Sequence, residues 1–85
     1  MFWDEVAAAR LGASVRLLRE GRGLSQESLA FQAGITKNQL QLIEAGRSSG
    51  RREAEGSSNP RMRTLFGIST VLEVSASELI AAAGL

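Results

Sequence analysis

Between positions 36 and 42 the chain reads Thr36, Lys37, Asn38, Gln39, Leu40, Gln41, Leu42, and five of these seven side chains carry hydrogen-bonding groups. An amide matches the donor–acceptor edge of adenine and a cation matches the two acceptors of guanine, so a short helix presenting this set suits the major groove of duplex DNA. Covalent chemistry finds much less to work with. The sequence has no histidine and no cysteine. That removes the usual general base, the commonest neutral metal ligand, thiolate nucleophiles and disulfides together. The acids are dispersed and no nucleophile–base pair is visible, so an enzyme is not expected and neither is a cofactor.

The elements that must carry these side chains are legible around them. Ser25 is a good N-cap for a helix beginning at Gln26, because its hydroxyl can accept a bond from an orphan amide of the first turn. Gly34 supplies the positive-φ residue that ends that helix. Thr36 opens a second helix, and Gln39 three residues later completes a capping-box pattern. Leu29 and Ala33 on the first helix, and Ile35, Leu40 and Ile43 around the second, are spaced to meet in one core, with Ala30 small where the helices cross. Thr36, Lys37, Asn38, Gln39 and Gln41 are left outside. Leu42 joins them as an apolar group that cannot hydrogen-bond a base but can touch a thymine methyl.

Upstream, Asp4 and Glu5 favour the start of a helix by complementing its dipole. Leu11, Val15 and Leu18 fall at i, i+4 and i+7, and helical spacing continues back through Ala8. This helix should stop near Gly21-Arg22-Gly23. Phe2 and Trp3 have two readings, a local staple at a frayed end or a surface packed on a second subunit. Downstream, residues 47–59 hold many Gly and Ser, no period and no large apolar side chain, which describes a flexible loop. Arg47, Arg51 and Arg52 make it mildly basic, and it is either a solvated insertion or an arm along a phosphate backbone. Pro60 suits the first turn of a further helix. Met62, Leu65, Phe66, Ser69 and Leu72 form its expected core-facing stripe, and Gly67 within it marks close packing at a cost of roughly 1 kcal/mol of helix propensity. Ser75 and Glu78 form another capping box, for a last helix through about Ala82.

Five helices and no strand signal predict an all-α single domain over 1–85, with 1–10 extending the first helix and 47–59 inserted. At 85 residues a single core is only marginally sufficient. No run of about 18 apolar residues is present, and Met1 to Val6 lacks the pattern of a secretion signal, so no membrane is expected. The net charge of +1 decides nothing, but residues 36–63 carry six basic side chains (Lys37, Arg47, Arg51, Arg52, Arg61, Arg63) against three acids (Glu44, Glu53, Glu55).

These stretches resemble the phage-repressor (Cro/XRE-type) helix-turn-helix family. The likeness rests on Gly23-Leu24-Ser25-Gln26, Leu29-Ala30, Gly34 and Ile43-Glu44-Ala45-Gly46, and extends from Leu11-Gly12 to about Leu79. It implies a five-helix, lambda-repressor-like DNA-binding domain. It also implies base readers at Lys37, Asn38 and Leu42, although polar or basic residues are usual at the last position. Gln26 matches a side chain that contacts the DNA backbone and braces the reading helix, and Arg61 matches one that approaches the backbone. Ser25, Arg47 and Arg63 are further candidates for phosphate contact. Family members bury an ion pair at the positions of Arg19 and Glu44.

The expected function is a bacterial or phage transcriptional regulator, cytoplasmic and nucleoid-associated, that occupies an inverted-repeat operator as a homodimer. Its dimer surface is expected on Ala76, Leu79, Ile80 and Ala83 of the last helix. The alternative is an antitoxin that binds both its own operator and a toxin protein.

Overall fold

Most helix ends in this chain are set by local hydrogen bonds that the sequence encodes. The computed structural model describes residues 5–47 and 60–84, and within them the order is α1 (Glu5–Gly21), α2 (Gln26–Ala33), α3 (Lys37–Ala45), α4 (Met62–Leu72) and α5 (Ala76–Ala82), with no strand. Ser25 caps α2 by accepting the Ser28 N–H at 3.0 Å. Gly34 ends α2 in the left-handed region at φ 77°, where a Cβ would be penalised. Thr36 and Gln39 close a reciprocal capping box on α3. Ser75 and Glu78 do the same for α5.

The core fills with Leu11 and Val15 from α1, Leu29 from α2, Leu40 and Ile43 from α3, Leu65, Ile68 and Leu72 from α4, and Leu79 from α5. Helix α1 packs mainly on α3 and α5, while α2 packs on α3 and α4. Residues 5–10 belong to α1, and Ala7 and Ala8 are buried. Close approach of backbones depends on two helical glycines. A Cβ on Gly12 would lie 2.6 Å from the Glu44 carbonyl oxygen and would also collide with that of Ile43, and one on Gly67 would lie 2.6 Å from the Ala33 carbonyl oxygen.

Two expectations about α4 need correction. Pro60 precedes the helix, since Arg61 is the N-cap and Met62 the first helical residue. The buried stripe is Leu65, Ile68, Ser69 and Leu72, whereas Met62 and Phe66 are 50% and 55% exposed. At 100° per residue Phe66 and Ile68 point 200° apart, so one core cannot bury both. Ile68 faces the common core and Phe66 the open side, while α2 comes against Gly67 between them. The stretch 48–59, Phe2 and Trp3 lie outside the described residues. No described helix is long and apolar enough to cross a membrane on its own.

The contact at Gly12 generates a test. Ala has a better helix propensity than Gly by about 1 kcal/mol, yet Gly12→Ala should lower stability by about 1–3 kcal/mol through overpacking against α3. Denaturant unfolding measures the change. An unchanged or raised midpoint would mean that α1 and α3 do not touch there.

Candidate nucleic-acid interface

Helix α3 is held from behind. Leu40 and Ile43 enter the core, and Glu44 on the same side meets Arg19 in a two-pronged ion pair. The Arg19 Nε donates to Oε2 at 2.8 Å and Nη2 donates to Oε1 at 3.1 Å. Their side chains are only 11% and 4% exposed. Arg19 also donates through Nη1 to the Leu24 carbonyl at 2.9 Å, and the Gln26 amide donates to Glu44 Oε1 at 3.0 Å. One carboxylate thus ties the end of α1 and the start of α2 to the last turn of α3. The hydrogen bond to Glu44 raises the Arg19 pKa, burial opposes it, and the charge of Glu44 adds to the rise. The contribution to stability is therefore complete below the ordinary arginine pKa and is lost only as pH climbs beyond it.

The front of α3 is open. By helical period Asn38, Leu42 and Ala45 point away from Leu40 and Ile43, with Lys37 and Gln41 on one flank and Gln39 on the other. Thr36, Lys37, Asn38, Gln39 and Gln41 are exposed, and Leu42 is half-buried. Lys37, Asn38 and Gln41 make no side-chain hydrogen bond or ion pair among the described residues. Thr36 and Gln39 are engaged with each other: the Thr36 N–H donates to Gln39 Oε1 at 2.8 Å, and the Gln39 N–H donates to Thr36 Oγ1 at 3.0 Å. Their free hydrogen-bonding capacity is correspondingly smaller than their sequence suggests.

The phosphate candidates lie at the start of α2, just past α3 and at the start of α4. Ser25 is exposed at the N-cap of α2, with its own hydroxyl proton still available to donate. Gln26 is half-buried and has a second amide proton beyond the one given to Glu44. Arg47 is exposed just past the end of α3. Arg61 and Arg63 begin α4 and, with Thr64 and Gln39, line an open cleft of about 580 Å³ against the turn between α2 and α3. The side chain of Arg61, the N-cap residue, makes no cap hydrogen bond to α4. The part played by Gln39 and Thr64 in this cleft was not visible in the sequence, because nothing local sets the distance between α3 and the start of α4.

The expected dimer surface is partly consumed inside the chain. Leu79 and Ala83 are 1% and 2% exposed and belong to the core, while Ile80 is half-buried and packs against it. Ala76 is also half-buried. A seven-residue helix closing the bottom of the bundle must spend its inward positions on α1 and α4.

This arrangement, a capped two-helix unit with a bare polar face braced by a buried ion pair, defines a helix-turn-helix DNA-binding domain. The family model described as a helix-turn-helix domain matches residues 10–79, and the chain belongs to that family, in its Cro/XRE-type branch. Among solved structures it is similar to the restriction-modification controller protein C.AhdI from Aeromonas hydrophila. The two share 28% identity with a TM-score of 0.70, over 85% of this chain and 94% of that one. It is similar also to the N-terminal DNA-binding domain of SinR from Bacillus subtilis, with 30% identity and a TM-score of 0.67 over 85% and 91% of the two chains. The likeness to the clp gene regulator ClgR from Corynebacterium glutamicum, at 20% identity and a TM-score of 0.74 over 92% and 72% of the chains, is one of fold. Among curated protein sequences none matches. The fold is that of DNA-binding transcriptional regulators.

The ion pair gives the second test. Arg19→Ala and Glu44→Ala should each cost about 3–5 kcal/mol, because each leaves the other charge buried without a partner. The double variant should lose clearly less than the sum of the two. Additive losses within about 0.5 kcal/mol of a surface substitution would show that the pair does not brace the helix.

Proposed function

We propose that the chain is a sequence-specific transcriptional regulator, acting as a repressor, that lays α3 into the major groove of an inverted-repeat operator. The observation that carries this reading is the uncommitted set Lys37, Asn38 and Gln41 on the open face of a helix whose back is locked by Glu44. Asn38 can offer donor and acceptor together to adenine, Lys37 can donate to guanine, and Leu42 supplies an apolar contact for a thymine methyl. Ser25, Gln26, Arg47, Arg61 and Arg63 serve the phosphates, which supply affinity without sequence information. SinR, to which the chain is 31% identical over 82% of its length, has been solved in complex with DNA, which supports the same docking.

A single domain of this size makes few base contacts, and a two-fold pair doubles them. We place the homodimer contact on the part of α5 that the core leaves uncovered, Ala76 and Ile80. The two α3 helices must then sit one helical turn of DNA apart, roughly 34–36 Å.

Selection of bound duplexes from random DNA tests this directly and should return an inverted repeat. Asn38→Ala should cost roughly 1–3 kcal/mol on the selected site and relax preference at one base pair. Arg61→Ala should weaken every duplex alike and lower the salt slope by about one. If both variants bind selected and random DNA as the parent does, the docking is wrong.

The assembly is checked by sedimentation. The parent should run as a dimer, and Ile80→Asp should dissociate it while retaining a cooperative thermal transition. A monomeric parent would remove the dimer from the mechanism.

A further inference from the structure

Gln39 carries an inference that the base-reading expectation conceals. Its side chain sits in the capping box, where Oε1 accepts the Thr36 N–H at 2.8 Å. Because a backbone N–H can only donate, the atom facing it must be the amide oxygen, and this contact fixes the orientation of the amide. The return bond from the Gln39 N–H to Thr36 Oγ1 at 3.0 Å holds the loop closed. The NH₂ group of Gln39 makes no bond among the described residues and is free to donate.

Adenine recognition by an amide needs an acceptor and a donor side by side. Oε1 already holds the Thr36 N–H and that bond fixes the amide, so Gln39 is less able to turn both groups to that edge. Its NH₂ stays free for an oxygen that only accepts. Its position agrees. It lies 100° around α3 from Asn38, on the flank facing the start of α4, and it lines the cleft it shares with Arg61, Arg63 and Thr64. Each of these four side chains has a donor free, and among the described residues no acid lines the cleft. The acceptor-only group that a duplex offers beside its groove is the phosphodiester oxygen.

We propose that Gln39 is a clamp on a DNA phosphate, donating its free NH₂ across this cleft together with Arg61, Arg63 and Thr64, and is not a base reader. The clamp rests on the DNA-binding reading above and deepens it. It couples helix capping to DNA contact, since the bond that stabilises α3 also fixes which end of the amide is left free.

Gln39→Glu separates the two roles. A carboxylate keeps an acceptor for the Thr36 N–H and adds a charge favourable to a helix N-terminus, while it removes both donors and sets an anion against the phosphate. Thermal stability should be kept or raised, and duplex affinity should fall about tenfold or more on selected and random DNA alike. The base preference recovered by selection should stay as in the parent. Gln39→Ala, which loses both the cap and the donors, should lower stability and affinity together. Replacing individual flanking phosphates by uncharged methylphosphonates should weaken the parent at one position where Gln39→Ala is indifferent. A stable Gln39→Glu protein that binds as tightly as the parent, or one whose selected sequence changes at a base pair, would overturn the clamp and leave DNA binding standing. A parent that binds no duplex would overturn both.

Discussion

The constraint on which the rest depends is the burial of the Glu44 carboxylate. A charge withdrawn from water to this degree must be fully partnered, and here it receives three donors, two from Arg19 and one from Gln26. Those donors arrive from α1 and from the first residue of α2, so pairing one side chain fixes three helices relative to each other. The glycine at position 12 is part of the same arrangement. Only a residue without Cβ lets α1 lie directly on the carbonyls of Ile43 and Glu44. Buried ion pairs are seldom better than hydrophobic packing as a source of stability, and what this one supplies is geometry.

Bracing from behind leaves the front of α3 free of structural duties. The buried polar side chains are satisfied within the described residues, while Lys37, Asn38 and Gln41 retain their full hydrogen-bonding capacity. Thr36 and Gln39 fall between these groups, because they cap the helix and face solvent at once. A residue can serve both roles only with the atoms that capping leaves over. What such a residue can offer a ligand is therefore counted in free atoms, not in polar residues.

The same economy shapes the lower half of the molecule. Helix α5 is too short to offer one side to the core and a second, equally apolar, side to a partner. Leu79 and Ala83 go inward, and Ala76 and Ile80 remain only partly covered. Arg22 and Glu73 join the turn after α1 to the turn after α4 by an exposed ion pair. Glu73 occupies a left-handed C-cap at φ 57°, where glycine would fit with less strain.

The sequence alone determined the features whose causes are local. Ser25, Thr36 with Gln39, and Ser75 with Glu78 cap helices through bonds spanning three residues, and Gly34 ends α2 through its own backbone freedom, so each could be read without knowing what lies across the core. The five-helix order, the turn and the polar front of α3 followed from them, and the family pattern supplied the Arg19–Glu44 pair. Tertiary structure alone decided which of several helical faces was buried. Met62 and Phe66 have the same spacing as a core stripe, but the helices packed on α4 buried Ile68 instead. Leu79 and Ala83 were equally consistent with an outer surface until α1 and α4 covered them. Periodicity specifies that a helix has an apolar side, whereas the neighbour that covers it is selected by contacts far apart in the chain, and no spacing within one helix encodes those.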